Sequence, residues 1–318
     1  MIRFLAALLL LLVAAPAVAE TAVERHGQLR VQGNRIVDKT GQPVMLRGMS
    51  LFWSQWAPQF YNEQAIRWLR DDWKVNVVRA AIAVPNNGYL KHPRREERKA
   101  EAVIDAAIKL GIYVIVDWHA HEPEAEAAGE FFARIAKKYG HHPNIIYETW
   151  NEPLREHDWS TVIKPYHLRV TPRIRAHDPD NLIVAGTQTW SQDVDKAAAD
   201  PLPDRNTAYT LHFYATSHRK ELRDKAAAAL AKGVALFVTE YGTTEATGNG
   251  TVDIAETRRW WDFMEANKIS YLNWSIVTKR ETSAALLPGA SPRGGWTERS
   301  ISPSGKLVRE QLRKTNPR

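Results

Sequence analysis

Hydrophobic positions along the chain follow two rhythms in turn. Short continuous apolar runs fall at 44–48, 75–81, 112–118, 144–149, 181–186, 207–213, 234–240 and 269–275. Runs of this kind belong to strands covered on both faces. Between them the apolar positions recur at helical spacing, as in "REERKAEAVIDAAIKLG" (95–111), "EAEAAGEFFARIAKKYG" (124–140), "HRKELRDKAAAALAKG" (218–233) and "DIAETRRWWDFMEANK" (253–268). Several of these segments stop at a glycine, a common helix terminator. Eight strands and eight helices in strict alternation predict an α/β fold, a (β/α)₈ TIM barrel. Ahead of it, "LRVQGNRIVDKTGQPVMLRGMS" alternates around the turn signals Gly33-Asn34 and Thr40-Gly41, which predicts a short N-terminal β-hairpin and a following strand. A doubly wound open sheet is the competing solution. It usually carries a glycine-rich loop after its first strand, and here that strand leads into "GMSLFWSQW".

The first nineteen residues stand outside this rhythm. "MIRFLAALLLLLVAAPAVA" has one early charge, an apolar run too short for a membrane span, and a small-x-small ending. It reads as a secretory signal peptide cleaved near Ala19. Residues 20–318 are then expected to form a single (β/α)₈ domain with no membrane span, acting as a monomer outside the cytoplasm, in the periplasm or the medium. No cysteine is present, so no disulfide supports the fold.

The strand ends narrow the chemistry, because barrels of this kind place their sites at the C-terminal ends of the strands. In chain order those ends carry Arg79, His119, Asn151 with Glu152, His212 with Tyr214, Glu240, and Trp274. Each has an ordinary structural explanation when taken alone: a core ion pair for Arg79, a satisfied buried imidazole for His119, packing for Trp274. Two carboxylates, two imidazoles, a guanidinium, an amide, a phenol and an indole at one rim are harder to explain that way.

Two facing carboxylates suit glycosidic bond cleavage. One must arrive protonated and the other ionised; a gap of ~5–5.5 Å gives direct attack with retention, and ~6.5–9.5 Å admits a water and gives inversion. Arg79 and a hydrogen bond from Tyr214 are expected to hold Glu240 ionised. Glu152, beside the amide of Asn151 and the indole of Trp150, is expected to keep its proton longer, so that the two titrations separate. Asn151 is placed to bond the sugar hydroxyl next to the reacting carbon.

The chain has twelve tryptophans. Trp53, Trp56, Trp118, Trp150, Trp190, Trp274 and Trp296 fall in loops or at strand ends, where indoles can stack on sugar rings. Trp68, Trp73, Trp260 and Trp261 lie on helices and read as packing. Net charge, +7 for the full chain, is mild, and the densest basic stretch, "KHPRREERK" (91–99), contains two glutamates. This is no nucleic-acid footprint. His119-x-His121 has metal-pair spacing, which leaves a metal-dependent barrel hydrolase as an alternative. Strand eight, however, ends on Asn273-Trp274 where such barrels use an aspartate. A non-catalytic sugar-binding barrel would keep the aromatics without needing both glutamates.

The motifs "DWHAH", "YETWNEPL", "HFYA", "FVTEYG" and "NWS", in this order at these strand ends, resemble glycoside hydrolase family five, in its bacterial endo-β-1,4-glucanase (cellulase) branch. "WLRDDW", "GTQTWSQDV" and "SAALLPGASPRGGWTE" extend the resemblance from about Leu29 to the C-terminus. It implies a retaining enzyme without cofactor or metal, acting on β-glucan. Glu152 would be acid/base and Glu240 nucleophile, with Arg79, His119, Asn151, His212, Tyr214 and Trp274 in support. Lys279, Glu281 and Trp56 match sugar contacts on the non-reducing side, and Trp190 matches one on the leaving-group side. The chain departs from that pattern at Phe52, where similar enzymes often carry a histidine, and at Ala83, where they often carry a further contact. β-Mannan, xyloglucan and mixed-linkage glucan remain alternative substrates.

Overall fold

The computed structural model describes residues 20–316; the signal-like segment lies outside them. A hairpin of β1 (Arg30–Gln32) and β2 (Arg35–Val37) precedes eight strands: β3 (Arg47–Leu51), β4 (Val77–Ala83), β5 (Tyr113–His119), β6 (Ile145–Glu148), β7 (Leu182–Ala185), β8 (Thr207–Tyr214), β9 (Leu236–Gly242) and β10 (Ser270–Ile276). The eight close into a barrel in chain order, β10 pairing with β3, and every pairing is parallel. The first barrel strand starts three residues later than its apolar run predicts. Val44 and Leu46 instead pack with Leu29 and Ile36 of the hairpin region beneath the barrel, where they close its N-terminal end.

Helices cover the outside. The segment predicted over 95–111 forms Pro93–Leu110, with a proline in its first turn and Gly111 as a left-handed cap at φ 65°. That over 124–140 forms Ala125–Tyr139, and its Phe131 and Phe132 pack on Trp118 of β5. No described helix is long and apolar enough to cross a membrane.

Strand alternation sorts side chains between shell and barrel interior. Along β5, Val114, Val116 and Trp118 join the outer core, while Tyr113 and Ile115 join the inner one. Asp117 and His119 continue the inward series. The same parity carries β4 from Val77 to Arg79, β6 from Ile146 to Glu148, and β8 from Ala208 to His212 and Tyr214. The interior is thus apolar at the bottom, ionic in the middle and open at the top.

β9 breaks the parity. Between two pairings β8 advances two residues, Thr210 to His212, while β9 advances three, Phe237 to Glu240. On its other side β10 advances from Tyr271 to Asn273 while β9 advances from Val238 to Tyr241. This is a β-bulge, one extra residue in one strand. It lets Thr239 and Glu240, adjacent in sequence, both serve the interior.

Candidate active site

Arg79 is fully buried and organises the middle layer. Its Nε donates to Glu148 Oε2 at 2.6 Å and its Nη2 to Glu148 Oε1 at 3.2 Å, and Asp117 Oδ2 lies 3.0 Å from Nη2. Toward the rim, Nη1 donates to Glu240 Oε2 at 3.1 Å and Nη2 to Asn151 Oδ1 at 2.6 Å. A guanidinium has donors in a fixed plane, so one side chain can hold these groups in mutual register. Because Arg79 only donates, Oδ1 of Asn151 must face it, and the Asn151 amide nitrogen is turned away as a donor.

Glu240 also accepts from the Tyr214 hydroxyl at 2.8 Å. Tyr214 is backed by Gly242, where a Cβ would come within 2.2 Å of the ring. Only glycine allows the phenol this close to the strand. Burial pushes the Glu240 carboxyl up, and the Glu152 charge adds to that; His212, Arg79 and Tyr214 oppose it.

Glu152 sits between two imidazoles. His212 Nδ1 is 2.9 Å from its Oε1, and His121 Nε2 is 3.2 Å from its Oε2. The other nitrogen of His212, Nε2, is 2.9 Å from Thr239 Oγ1, whose proton goes to Glu148 Oε1 at 2.6 Å. Thr239 therefore accepts, Nε2 carries hydrogen, and one proton is left to divide between His212 Nδ1 and Glu152 Oε1. Burial opposes charge on His212, but the Glu148 carboxylate 3.7 Å from Nε2 and the bond to Glu152 outweigh it and lift the imidazole to about 9. Burial likewise opposes charge on Glu152, but hydrogen bonds from His121 and His212 bring it down to about 2.

The expected surroundings of Glu152 are corrected by this. Trp150 is fully buried and packs on Tyr166 with ring centroids 4.4 Å apart, away from the carboxyl. Two imidazoles, not an indole and an amide, surround the acid, and in the ligand-free protein its carboxyl is depressed while that of Glu240 is raised. The separation of the titrations is present with the opposite sign. The gap left open by the sequence is short: a carboxylate oxygen of Glu152 lies within 4.8 Å of one of Glu240, and a His212 nitrogen lies within the same distance of both. That trio has metal-like spacing, but both His212 nitrogens are already engaged. Among the described residues, no cluster of three potential metal ligands includes His119 or His121.

His119 Nδ1 lies 2.6 Å from Asp117 Oδ2, and its ring stacks on Trp274 at 5.1 Å and 9°. Phe52 packs on Trp274 at 5.2 Å and faces Trp56 at 6.3 Å, with the Lys279 ammonium 5.6 Å above its ring. Lys279 pairs with Glu281 at 2.6 Å. Ala83 is buried, its N–H donated to Ser54 Oγ at 2.9 Å. Trp56 and Trp190 are 55% and 38% exposed and free to stack on a ligand, whereas Trp118 and Trp296 are buried in the core. Trp190 is held by three successive left-handed residues, Thr189, Trp190 and Ser191. Its N–H donates to Pro153 O at 2.8 Å and Ser191 Oγ to Asn151 O at 2.7 Å, which ties this loop to the Glu152 loop.

Sequence reasoning missed Asp117 and Thr239, left Glu148 unassigned, and read His121 only as half of a metal pair. Counting back by twos from the rim residue His119 reaches Asp117. Thr239 was hidden by the bulge, which no alternation signals.

Comparison with known proteins gives a consistent answer. Residues 37–280 match the family model Cellulase (glycosyl hydrolase family 5). The chain is 48% identical to Endoglucanase N of Pectobacterium atrosepticum over 93% of its own length and 68% of that protein's. For another curated endoglucanase, that share falls to 57%. A solved structure from Cytophaga hutchinsonii, 54% identical, superposes with a TM-score of 0.92 over 93% of this chain and 97% of the other. The catalytic domain of Thermobifida fusca endoglucanase Cel5A, in complex with cellotetraose, is 35% identical with a TM-score of 0.87, over 92% and 99% of the two chains.

Proposed function

The chain belongs to glycosyl hydrolase family 5, and we propose that it is a retaining endo-β-1,4-glucanase that cuts internal bonds of cellulose-type β-glucan. The observation that carries this reading is that a carboxylate oxygen of Glu152 lies within 4.8 Å of one of Glu240, nearer than the ~6.5–9.5 Å that seats a water for inversion. Glu240, held by Arg79 and Tyr214, attacks the anomeric carbon while Glu152 gives a proton to the leaving oxygen. A glycosyl ester on Glu240 forms. Glu152 then takes a proton from water, the water oxygen attacks the same carbon, and Glu240 is released with net retention. The Asn151 amide donates to the neighbouring sugar hydroxyl. Trp56, Lys279 and Glu281 line the non-reducing side, Trp190 the leaving-group side, and His119 with Trp274 the floor between them.

The β-glucan substrate is supported by the endoglucanase names of the relatives and by the cellotetraose bound to the Thermobifida fusca enzyme. Export as a monomer after loss of residues 1–19 is part of the same proposal. Reducing-sugar assays over carboxymethyl cellulose, lichenan, glucomannan and xyloglucan test it. Release from carboxymethyl cellulose is expected, and cleavage of mannan alone would overturn the reading.

A further inference from the structure

We propose that His121 and Glu152 form a proton-sharing dyad in which His121, as a positioning residue, shares the proton of Glu152 Oε2 and sets the midpoint of the alkaline limb of activity. This rests on the reading of Glu152 as acid/base. With Oε1 engaged by His212, Oε2 is the oxygen left for the glycosidic oxygen, and it is the one His121 faces at 3.2 Å. A carboxylate oxygen has two lone-pair directions, so His121 and a sugar oxygen can share Oε2. The His121 side chain is 36% exposed, so its ring exchanges protons with solvent, while its inner face meets Trp53 at 5.8 Å.

The charged groups around the dyad fix its direction. His121 feels Glu152, Glu240 and Glu122, which favour its charged form, and together they raise it against the opposing effect of burial. His119 beside it is held neutral by burial and by the neighbouring Arg79. Glu152 in turn feels His212, and its own charge acts on Asp117, Tyr214 and His218.

With one proton in the dyad there are two arrangements. Either imidazolium donates to carboxylate, or the carboxyl keeps the proton, aimed at the sugar oxygen, beside a neutral imidazole; only the second can protonate a leaving group. On bond cleavage that proton goes to the departing sugar oxygen, which leaves a carboxylate and a neutral imidazole. The attacking water later returns one proton to Oε2. The last proton leaves such a coupled pair at a higher pH than it leaves the carboxyl alone. His121 therefore sets the midpoint of the alkaline limb.

The test is the pH profile of kcat/KM on carboxymethyl cellulose for wild type, His121→Asn and His121→Gln. Both variants keep a hydrogen-bond donor that cannot titrate. The midpoint of the alkaline limb should move down by about one pH unit or more, with no loss of kcat/KM on the acid side of the limb. Coincident limbs, or an equal loss at every pH, would overturn the dyad. A second measurement needs no turnover. The His121 imidazole is titrated by ¹⁵N NMR in wild type and in Glu152→Gln; its midpoint should fall in the variant, and an unchanged midpoint refutes the proposal. If wild type cuts no β-glucan, the functional reading fails while the NMR comparison still reports on the dyad.

Discussion

Replacing Arg79 by lysine keeps a buried cation and removes the fork. In the native protein the guanidinium serves Glu148 through two bonds, Glu240 at 3.1 Å, Asn151 at 2.6 Å and Asp117 at 3.0 Å, with no exposed surface. One ammonium cannot span groups on four strands and loops. At least one carboxylate is left buried without its donor, a change that costs about 3–5 kcal/mol. At roughly 2 °C per kcal/mol for a domain of this size, Tm should fall by about 6–10 °C in scanning calorimetry. Activity should fall further, because Glu240 loses a charge-assisted bond and Asn151 loses the contact that orients its amide. Two such losses at about 1.5–3 kcal/mol each lower kcat/KM on carboxymethyl cellulose about 150- to 25,000-fold. If Arg79→Lys melted within about 2 °C of wild type and kept kcat/KM within about three-fold, the guanidinium would not be what organises this site.

Glu240→Ala should lower activity by at least about a thousand-fold, and azide should restore part of it with a glycosyl azide of inverted configuration; recovery of only the retained azide would contradict a nucleophilic Glu240. Glu152→Ala should cut turnover of carboxymethyl cellulose at least about a hundred-fold, yet leave the first step on a dinitrophenyl cellobioside within about ten-fold, as read by the phenolate burst. Proton NMR of an early digest should show the β-anomer of the new reducing end before mutarotation, and an initial α-anomer would exclude retention. His212 is raised in the folded protein, to about 9, so its stabilising charge is fully present below about pH 6.5 and lost as pH rises through about 9. Tm of the wild type should therefore decline across that window, and His212→Asn should flatten the decline.

Much of this site was legible because strand ends in a parallel barrel converge by topology alone. Once eight apolar runs are counted, Arg79, His119, Asn151, Glu152, His212, Tyr214, Glu240 and Trp274 fall at one rim without any distance being known. What lay below the rim was harder to read. Helices cover the outer face, so inward and outward positions are equally apolar in sequence, and Asp117 and Glu148 stand out only once parity is known. The protonation of Glu152 was misjudged for a related reason. β6 ends at Glu148, so strand parity does not reach Glu152; Trp150, two residues before it, turns into the shell, while His121 from the loop after β5 and His212 from β8 meet the carboxyl.

The sequence alone determined the barrel and the convergence of two glutamates on one rim, because local periodicity and strand order are properties of the chain. Only the tertiary structure decided the gap between the carboxylates, the bulge that turns both Thr239 and Glu240 inward, and the imidazole on each oxygen of Glu152. Those depend on register between strands distant in sequence, and a one-residue slip in register leaves the hydrophobic pattern readable while re-aiming the side chain that does the chemistry.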